Sequence, residues 1–309
     1  MPFFLGIDGG GTKTRCLLGD NTSVLSTGNA SGCNVLRVGE ACARDSLSGA
    51  IHEACVQAGV SPSQITRTCA GIAGAADDGV ASLVQRLLIG IVGGAIEVIG
   101  DMEIALESAF PDGVGVVVIA GTGSIAYARN RQGETARAGG WGRMVSDEGS
   151  GHWIGLQAIR MSLHEHDRGE ESELLEKLMP ALEARTVNDL AARVNANPPP
   201  DFASLFPMVL ELAEGGEPLA ARVLHRAGEE LAQVAAAVIG RTFPLSEEAP
   251  VANHGGVFGS SARVKQVFKQ RLTSLCPNAT CVDVTVDPAL GALGRARREF
   301  GIWHKKAFE

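Results

Sequence analysis

The chain has no excess of positive charge: 27 Lys and Arg stand against 35 Asp and Glu, a formal net charge of -8 at pH 7. Nucleic-acid phosphates and anionic lipid surfaces are gripped through basic patches, so neither partner class is expected and any phosphate site must be local. It also lacks a paired-cysteine motif. The seven cysteines (Cys16, Cys33, Cys42, Cys55, Cys69, Cys276, Cys281) are odd in number, scattered and without a close CxxC. That distribution fits reduced thiols in a cytoplasmic protein rather than a disulfide framework or a zinc site. No apolar run reaches the length of a membrane span, and no basic region followed by a long apolar core opens the chain. What is there is 309 residues, 45% of them hydrophobic, long for a single core and enough for two domains.

The densest signal is Asp8-Gly9-Gly10-Gly11-Thr12-Lys13-Thr14, set between the apolar stretches 3–7 and 16–18. A strand, a glycine turn and a returning strand are predicted. Successive glycines permit torsions closed to other residues and let main-chain N–H groups converge on an anion. A plain hairpin tip needs fewer of them. Thr12 adds a hydroxyl donor. Asp8 would face the anion at close range unless a divalent cation lay between them, which makes it a candidate for holding Mg²⁺, directly or through water.

Strand-like segment 114–120, the most apolar in the chain, runs into Gly121-Thr122-Gly123-Ser124 and then a further apolar stretch. With Ala126 this also fits a GxGxxA dinucleotide pattern, but the residues that follow have strand rather than helix character, and a nicotinamide site is rejected. Two strand–turn–strand loops instead suggest two related halves, each with a phosphate clamp.

Helical periodicity marks 40–58, 80–88 and 102–110, and short apolar runs mark strands at 65–70 and 96–99. Asp101 follows the second of these strands. Open α/β sheets place ligands at that position, but a helix N-cap would also select aspartate there. Residues 28–34, small and polar, suit a loop that touches a hydroxylated ligand. Between 139 and 155 lie two of the three tryptophans, Trp141 and Trp153, with Asp147, Glu148 and many glycines. Aromatic faces and carboxylates in that combination suit a carbohydrate. Helices are expected, with breaks, from 153 to 193 and again at 206–213, 218–241 and 262–275. Residues 195–200, with three prolines, are expected to be extended. A third glycine loop covers 255–260, Gly291 and Gly294 suggest close packing of the last helix, and the charged run 295–298 suggests a solvated face.

In order, Gly6-x-Asp8-Gly9-Gly10-Gly11-Thr12, Gly121-Thr122-Gly123-Ser124, Gly140-Trp141-Gly142 with Ser146-Asp147-Glu148-Gly149-Ser150-Gly151, Gly255-Gly256-x-x-Gly259-Ser260 and Pro288-x-x-Gly291-Ala292 resemble the BadF/BadG/BcrA/BcrD ATPase family. Within it they resemble the N-acetylglucosamine kinases, of the superfamily of sugar kinases, actin and heat-shock chaperone ATPases. The resemblance spans essentially the whole chain. It implies an α/β fold of two ribonuclease-H-like, actin-like ATPase domains with a nucleotide cleft between them. The N-terminal domain would cover 1–113, joined by a C-terminal helix 289–309, and the second domain 114–288 with a helical insertion.

The resemblance further implies ATP and Mg²⁺ as cofactors. Gly9, Gly10, Gly11, Thr12, Lys13, Gly121, Thr122 and Gly123 would hold phosphates, Asp8 the metal, and Gly256, Ser260 and Ser204 the nucleoside side. Asn34, Ser124, Gly140, Trp141 and Asp147 would contact a small amino sugar. Asp101 would be the general base that accepts the proton of the sugar 6-hydroxyl, giving N-acetylglucosamine 6-phosphate. A cytoplasmic homodimer without nucleic-acid or membrane partners is expected. The substrate loop Ser31-Gly32-Cys33-Asn34-Val35-Leu36 lacks the aromatic residue that follows the asparagine in animal members, so glucosamine and N-acetylmuramic acid stay open as substrates. A non-kinase activator ATPase of the same family, working through an iron–sulfur cluster, is the other alternative.

Overall fold

A computed structural model describes residues 1–298. The chain opens with β1 (Phe3–Gly9), β2 (Lys13–Gly19) and β3 (Val24–Ser31), followed by α1 (Val35–Val38), α2 (Glu40–Ala58), β4 (Ile65–Ile72), α3 (Asp78–Ile89), β5 (Ala95–Gly100) and α4 (Asp101–Ala109). A second meander, β6 (Gly115–Ala120), β7 (Ser124–Arg129) and β8 (Thr135–Gly139), precedes α5 (Gly151–Asp167), α6 (Glu173–Ala181), α7 (Val187–Val194), α8 (Phe206–Glu214) and α9 (Pro218–Thr242). Then come β9 (Ala249–His254), α10 (Gly256–Ser260), α11 (Ala262–Leu275), β10 (Ala279–Cys281) and α12 (Pro288–Arg297). No helix among the described residues is long and apolar enough to cross a membrane.

The chain forms two compact units. Unit 1 comprises Met1–Gly115, Arg131–Gly133 and the chain from Asp283; unit 2 comprises Val116–Asn130 and Glu134–Val282. Each holds one five-stranded sheet, ordered β3-β2-β1-β4-β5 in unit 1 and β8-β7-β6-β9-β10 in unit 2. The two orders are the same once the strands of each half are numbered from its start. In each, the first strand is central, with the meander on one side and parallel strands on the other. The two glycine–threonine loops therefore leave equivalent strands, and the mixed α/β, actin-like expectation holds.

Unit 1 shows why β1 is apolar throughout. Side chains alternate across a strand, so Leu5 and Ile7 join Leu47, Ile51, Val84 and Leu88 under α2 and α3, while Phe4 joins Ile104, Ala292 and Leu293 under α4 and α12. A central strand buried on both faces needs hydrophobic residues at consecutive positions. In unit 2 the long α9 serves as the interior helix, with Val223, Leu224, Leu231, Val238 and Ile239 at 1% exposure or less.

Four expectations are corrected. Residues 28–31 are not loop but the end of β3, because Gly28 lets that strand lie on α2: a Cβ there would collide with the Ala50 carbonyl oxygen. Residues 195–200 turn rather than extend, with a cis bond at Asn197–Pro198. Arg295 is not solvated; it donates to Glu97 at 2.8 Å and Glu107 at 3.1 Å, and none of the three side chains is more than 14% exposed. Gly291 is a packing glycine, but Gly294 is not, since a Cβ there would meet nothing within 4 Å. The expected helix 289–309 is seen as α12, Pro288–Arg297; positions 299–309 lie outside the described residues.

The contrast between these glycines can be measured. A Cβ at Gly291 would run into the Ile104 carbonyl oxygen and lie 2.8 Å from the Ser108 nitrogen. Gly291→Ala should cost about 1–3 kcal/mol through overpacking. Gly294→Ala should be neutral or stabilising by up to about 1 kcal/mol, through helix propensity. Scanning calorimetry should rank the melting temperatures in that order, and equal values would contradict the packing described.

Candidate active site

The β1–β2 turn is closed by the Gly10 N–H donating to the Lys13 carbonyl at 2.9 Å. None of Gly9, Gly10 and Gly11 has positive φ, so their backbone does not need the torsional freedom invoked from sequence. Gly9 is small for a different reason. A Cβ at Gly9 would strike the Cys33 sulfur and lie 2.5 Å from Ile72 Cδ1. The Gly10 carbonyl accepts the N–H groups of both Cys33, at 3.1 Å, and Asn34, at 3.2 Å, while the Gly9 carbonyl accepts from Ala73 at 2.8 Å. Gly32 lies flat against this turn, with room for no Cβ between it and the Gly11 carbonyl. The loop proposed for phosphate and the residue proposed for the sugar, Asn34, are thus one hydrogen-bonded piece. Asn34 Oδ1 accepts from the Leu36 N–H at 3.0 Å and caps α1. Thr12 and Lys13 are exposed at the tip.

Asp8 is the next-to-last residue of β1 and Asp101 is the first residue of α4. The cap of that helix is Gly100, so Asp101 is not present as an N-cap; one of its oxygens accepts the Met102 N–H at 3.0 Å. Burial pushes the Asp101 carboxyl above its usual range. Asp8 is pushed to about 6, first by burial and next by the negative charge of Asp101, against the opposing pull of Lys13 and Arg15. Arg15, opposite Asp8 in the β1–β2 register, is itself engaged by both carboxylate oxygens of Asp287 at 2.9 and 2.8 Å. Asp287 caps α12, and its N–H donates to Ser108 Oγ at 2.8 Å. The Arg15–Asp287 pair had one sequence signal: Asp before Pro is a common start of a helix.

Unit 2 carries the second loop. The Gly121 N–H donates to the Gly123 carbonyl at 2.9 Å, and the loop is fixed to the start of α5 by Gly151 N–H to Gly121 O at 2.8 Å and His152 N–H to Thr122 O at 3.3 Å. Ser124 and Asp147 are brought together: the Ser124 N–H donates to Asp147 Oδ1 at 3.3 Å, and Ser124 Oγ donates to the Glu148 carbonyl at 2.7 Å. Asp147 is buried and adopts a left-handed φ of 68°, unusual for a residue with a side chain. Its pKa is raised by burial and partly restored by the Ser124 N–H. Backbone strain and a desolvated carboxylate at one residue are the kind of feature that collects at functional sites.

Gly255 has φ 102° and packs against the Ala120 backbone, which brings the third glycine turn beside the end of β6. A Cβ at Gly121, Gly256 or Gly259 would meet nothing within 4 Å, so these backbones face open space. The turn is followed by the five-residue α10 rather than directly by the expected helix at 262; Ser260 ends α10 and is exposed. Gly140 has φ 68°, and Trp141 is 64% exposed, its ring covered on one face by the Arg137 guanidinium at 4.4 Å. Ser204 lies in the 3-10 turn Phe202–Leu205, its hydroxyl donating to the Asp201 carbonyl at 2.6 Å. No hydrogen bond among the described residues links Ser204 to Gly256 or Ser260.

The model of the BadF/BadG/BcrA/BcrD ATPase family matches residues 5–296. The chain belongs to that family. Membership of the BadF/BadG/BcrA/BcrD ATPases implies ATP as the nucleotide. The chain is 30% identical over 305 residues to the N-acetylmuramic acid/N-acetylglucosamine kinase of Clostridium acetobutylicum, covering 97% of this chain and 99% of that one. It is 28% identical to the N-acetyl-D-glucosamine kinase of Dictyostelium discoideum, over 94% and 96% of the two chains. A solved structure from Chromobacterium violaceum, provisionally named an N-acetylglucosamine kinase, superposes with TM-score 0.76 at 26% identity, over 95% of this chain and 98% of that one.

The half-buried Asp8 carboxylate predicts a stability effect of definite sign. Because its folded pKa of about 6 lies above the ordinary 3.8, the folded protein is favoured below pH 4 and loses that stabilisation as pH rises through 6. In the absence of divalent ions Asp8→Asn should therefore raise the melting temperature at pH 8, by at most about 2–3 kcal/mol of stability. The advantage should shrink toward pH 4. A variant less stable than the parent at pH 8 would contradict the environment assigned to Asp8.

Proposed function

We propose that the protein is an ATP-dependent amino-sugar kinase that converts N-acetylglucosamine to its 6-phosphate. The observation that carries the reading is the pair of desolvated carboxylates at the ends of β1 and β5, Asp8 and Asp101, next to a glycine turn hydrogen-bonded to Asn34. The full-length similarity to amino-sugar kinases supports it.

In this reading Asp101 accepts the proton of the sugar 6-hydroxyl as the oxygen forms its bond to the γ-phosphorus. A positioned base of this kind contributes about 10²- to 10⁴-fold. Gly9, Gly10, Gly11, Thr12 and Lys13 in unit 1, and Gly121, Thr122 and Gly123 in unit 2, receive phosphates; Gly256, Ser260 and Ser204 receive the nucleoside. Asn34, Ser124, Gly140, Trp141 and Asp147 bind the sugar. Asp147 offers an acceptor for hydroxyls, and the face of Trp141 left free by Arg137 offers an apolar surface.

Asp8 fits a magnesium site: its buried carboxylate is destabilised by a like charge that a cation would offset. Mg²⁺ is commonly bound by one or two carboxylates plus water and substrate phosphates, the mode proposed for Asp8. When bound, the ion would neutralise charge on the transferring phosphoryl group. We further propose that units 1 and 2 are the two ribonuclease-H-like domains. A cytoplasmic homodimer without nucleic-acid or membrane partners completes the proposal, supported in part by the net charge of -8 and by seven free cysteines.

An ADP-release screen over N-acetylglucosamine, N-acetylmuramic acid, glucosamine, N-acetylmannosamine and glucose tests the reading. The highest kcat/KM is expected with N-acetylglucosamine, with product phosphorylated at O6 by NMR. A higher value for glucosamine or N-acetylmuramic acid would move the substrate assignment. Iron in the purified protein with no transfer to any sugar would replace the kinase by the activator reading.

A further inference from the structure

The glycine turn has a cationic neighbour that its phosphate role leaves unexplained. Arg37 lies on α1, three residues after Asn34, and its N–H donates to the Asn34 carbonyl at 2.9 Å. Its side chain folds back over the tip of the turn: a Cβ at Gly11 would lie 3.0 Å from Arg37 Nη1, 3.3 Å from Cδ and 3.8 Å from Cζ. The guanidinium and its stem thus lie in contact range of the Gly11 backbone, whereas Gly9 is packed on the buried Cys33 sulfur.

Three cations flank this turn, and they differ in what occupies them. Arg15 is held by Asp287, and Lys13 acts on the charge of Asp8. Arg37 is exposed and has neither hydrogen bond nor ion pair from its guanidinium among the described residues. In a protein of net charge -8, a guanidinium laid on a glycine turn without a carboxylate partner has its N–H donors available to an incoming anion. Its planar fork is suited to phosphoryl oxygens.

We propose that Arg37 is a further catalytic residue that grips the phosphoryl group in transfer. The inference rests on the kinase reading for its reaction. There the acceptor oxygen forms its bond to the γ-phosphorus while the bond to the bridging β,γ-oxygen breaks. ADP leaves with that electron pair, and the hydroxyl proton passes to Asp101. Negative charge spreads over the three peripheral oxygens of the moving group. Arg37, lying over Gly11, supplies donors to those oxygens from the turn side, a role that ADP alone, lacking the group, does not engage.

The test uses the full chain with Arg37→Gln and Arg37→Lys. Arg37→Gln should lower kcat by about 10- to 100-fold with both neutral N-acetylglucosamine and acidic N-acetylmuramic acid. Calorimetry should show ADP affinity kept within about twofold and the preference for ATP over ADP reduced, with part of both effects regained in Arg37→Lys. Unchanged kcat and unchanged nucleotide preference in an active enzyme would overturn the inference and leave the kinase reading standing. A loss confined to KM for N-acetylmuramic acid would also overturn it, by placing the guanidinium on the sugar carboxylate. If the parent protein phosphorylates no amino sugar but Arg37→Gln still loses the ATP preference, Arg37 keeps its phosphoryl contact and the amino-sugar reading falls.

Discussion

Two carboxylates in a desolvated place impose the constraint on which the rest of unit 1 depends. Asp8 and Asp101 stand at the ends of strands β1 and β5, on either side of β4, and each raises the difficulty of ionising by its own burial. A fold that holds them there gives up stability at neutral pH, and such a cost is typical where a site is arranged for a ligand that is not yet bound. The nearby arginine that could have quenched the charge, Arg15, is instead committed to Asp287 and to the cap of α12. The chain thus ties α12 to the hairpin, while Arg15 and Lys13 offset the charge of Asp8 only in part.

Close packing of main chain makes this arrangement rigid. Gly9 admits the Cys33 sulfur, Gly32 admits the Gly11 carbonyl, and Gly6 admits the backbone of α12. The Gly10 carbonyl then collects two N–H groups from the segment that carries Asn34. A displacement of the turn would break bonds in the segment that carries Asn34, so positions proposed for donor and acceptor are mechanically coupled within unit 1. Unit 2 repeats the strand order but fixes its loop differently, by hydrogen bonds to the start of α5 and by the strained Asp147 under Ser124.

Much of the fold was legible because its signals are local. The run ahead of Asp8 is apolar on both strand faces, the β1 and β6 loops repeat a glycine–threonine pattern, and α2 runs Glu40–Ala58, as the helical periodicity suggested, with Gly59 as its left-handed cap. What was not legible depends on partners distant in the chain. Gly28 looked like loop composition until α2 lay against it, and Arg295 looked solvent-facing because Glu97 and Glu107 are nearly two hundred positions away. The third glycine of the turn suggested an anion site for conformational reasons. Its conformation is ordinary, and the Arg37 side chain lies over it. Asn34 was placed by resemblance, whereas its tie to Gly10 runs through main-chain atoms that no side-chain pattern encodes.

The proposed division of labour between the two carboxylates gives Asp8 the metal and Asp101 the proton. Asp101→Asn keeps the shape and the Met102 contact while removing the base. Single-turnover phosphoryl transfer to N-acetylglucosamine should fall by about 10²- to 10⁴-fold, while Mg²⁺-dependent ATP affinity, measured by calorimetry on the same preparation, should stay near that of the parent protein. Transfer at the parent rate would contradict the assignment of Asp101 as the base.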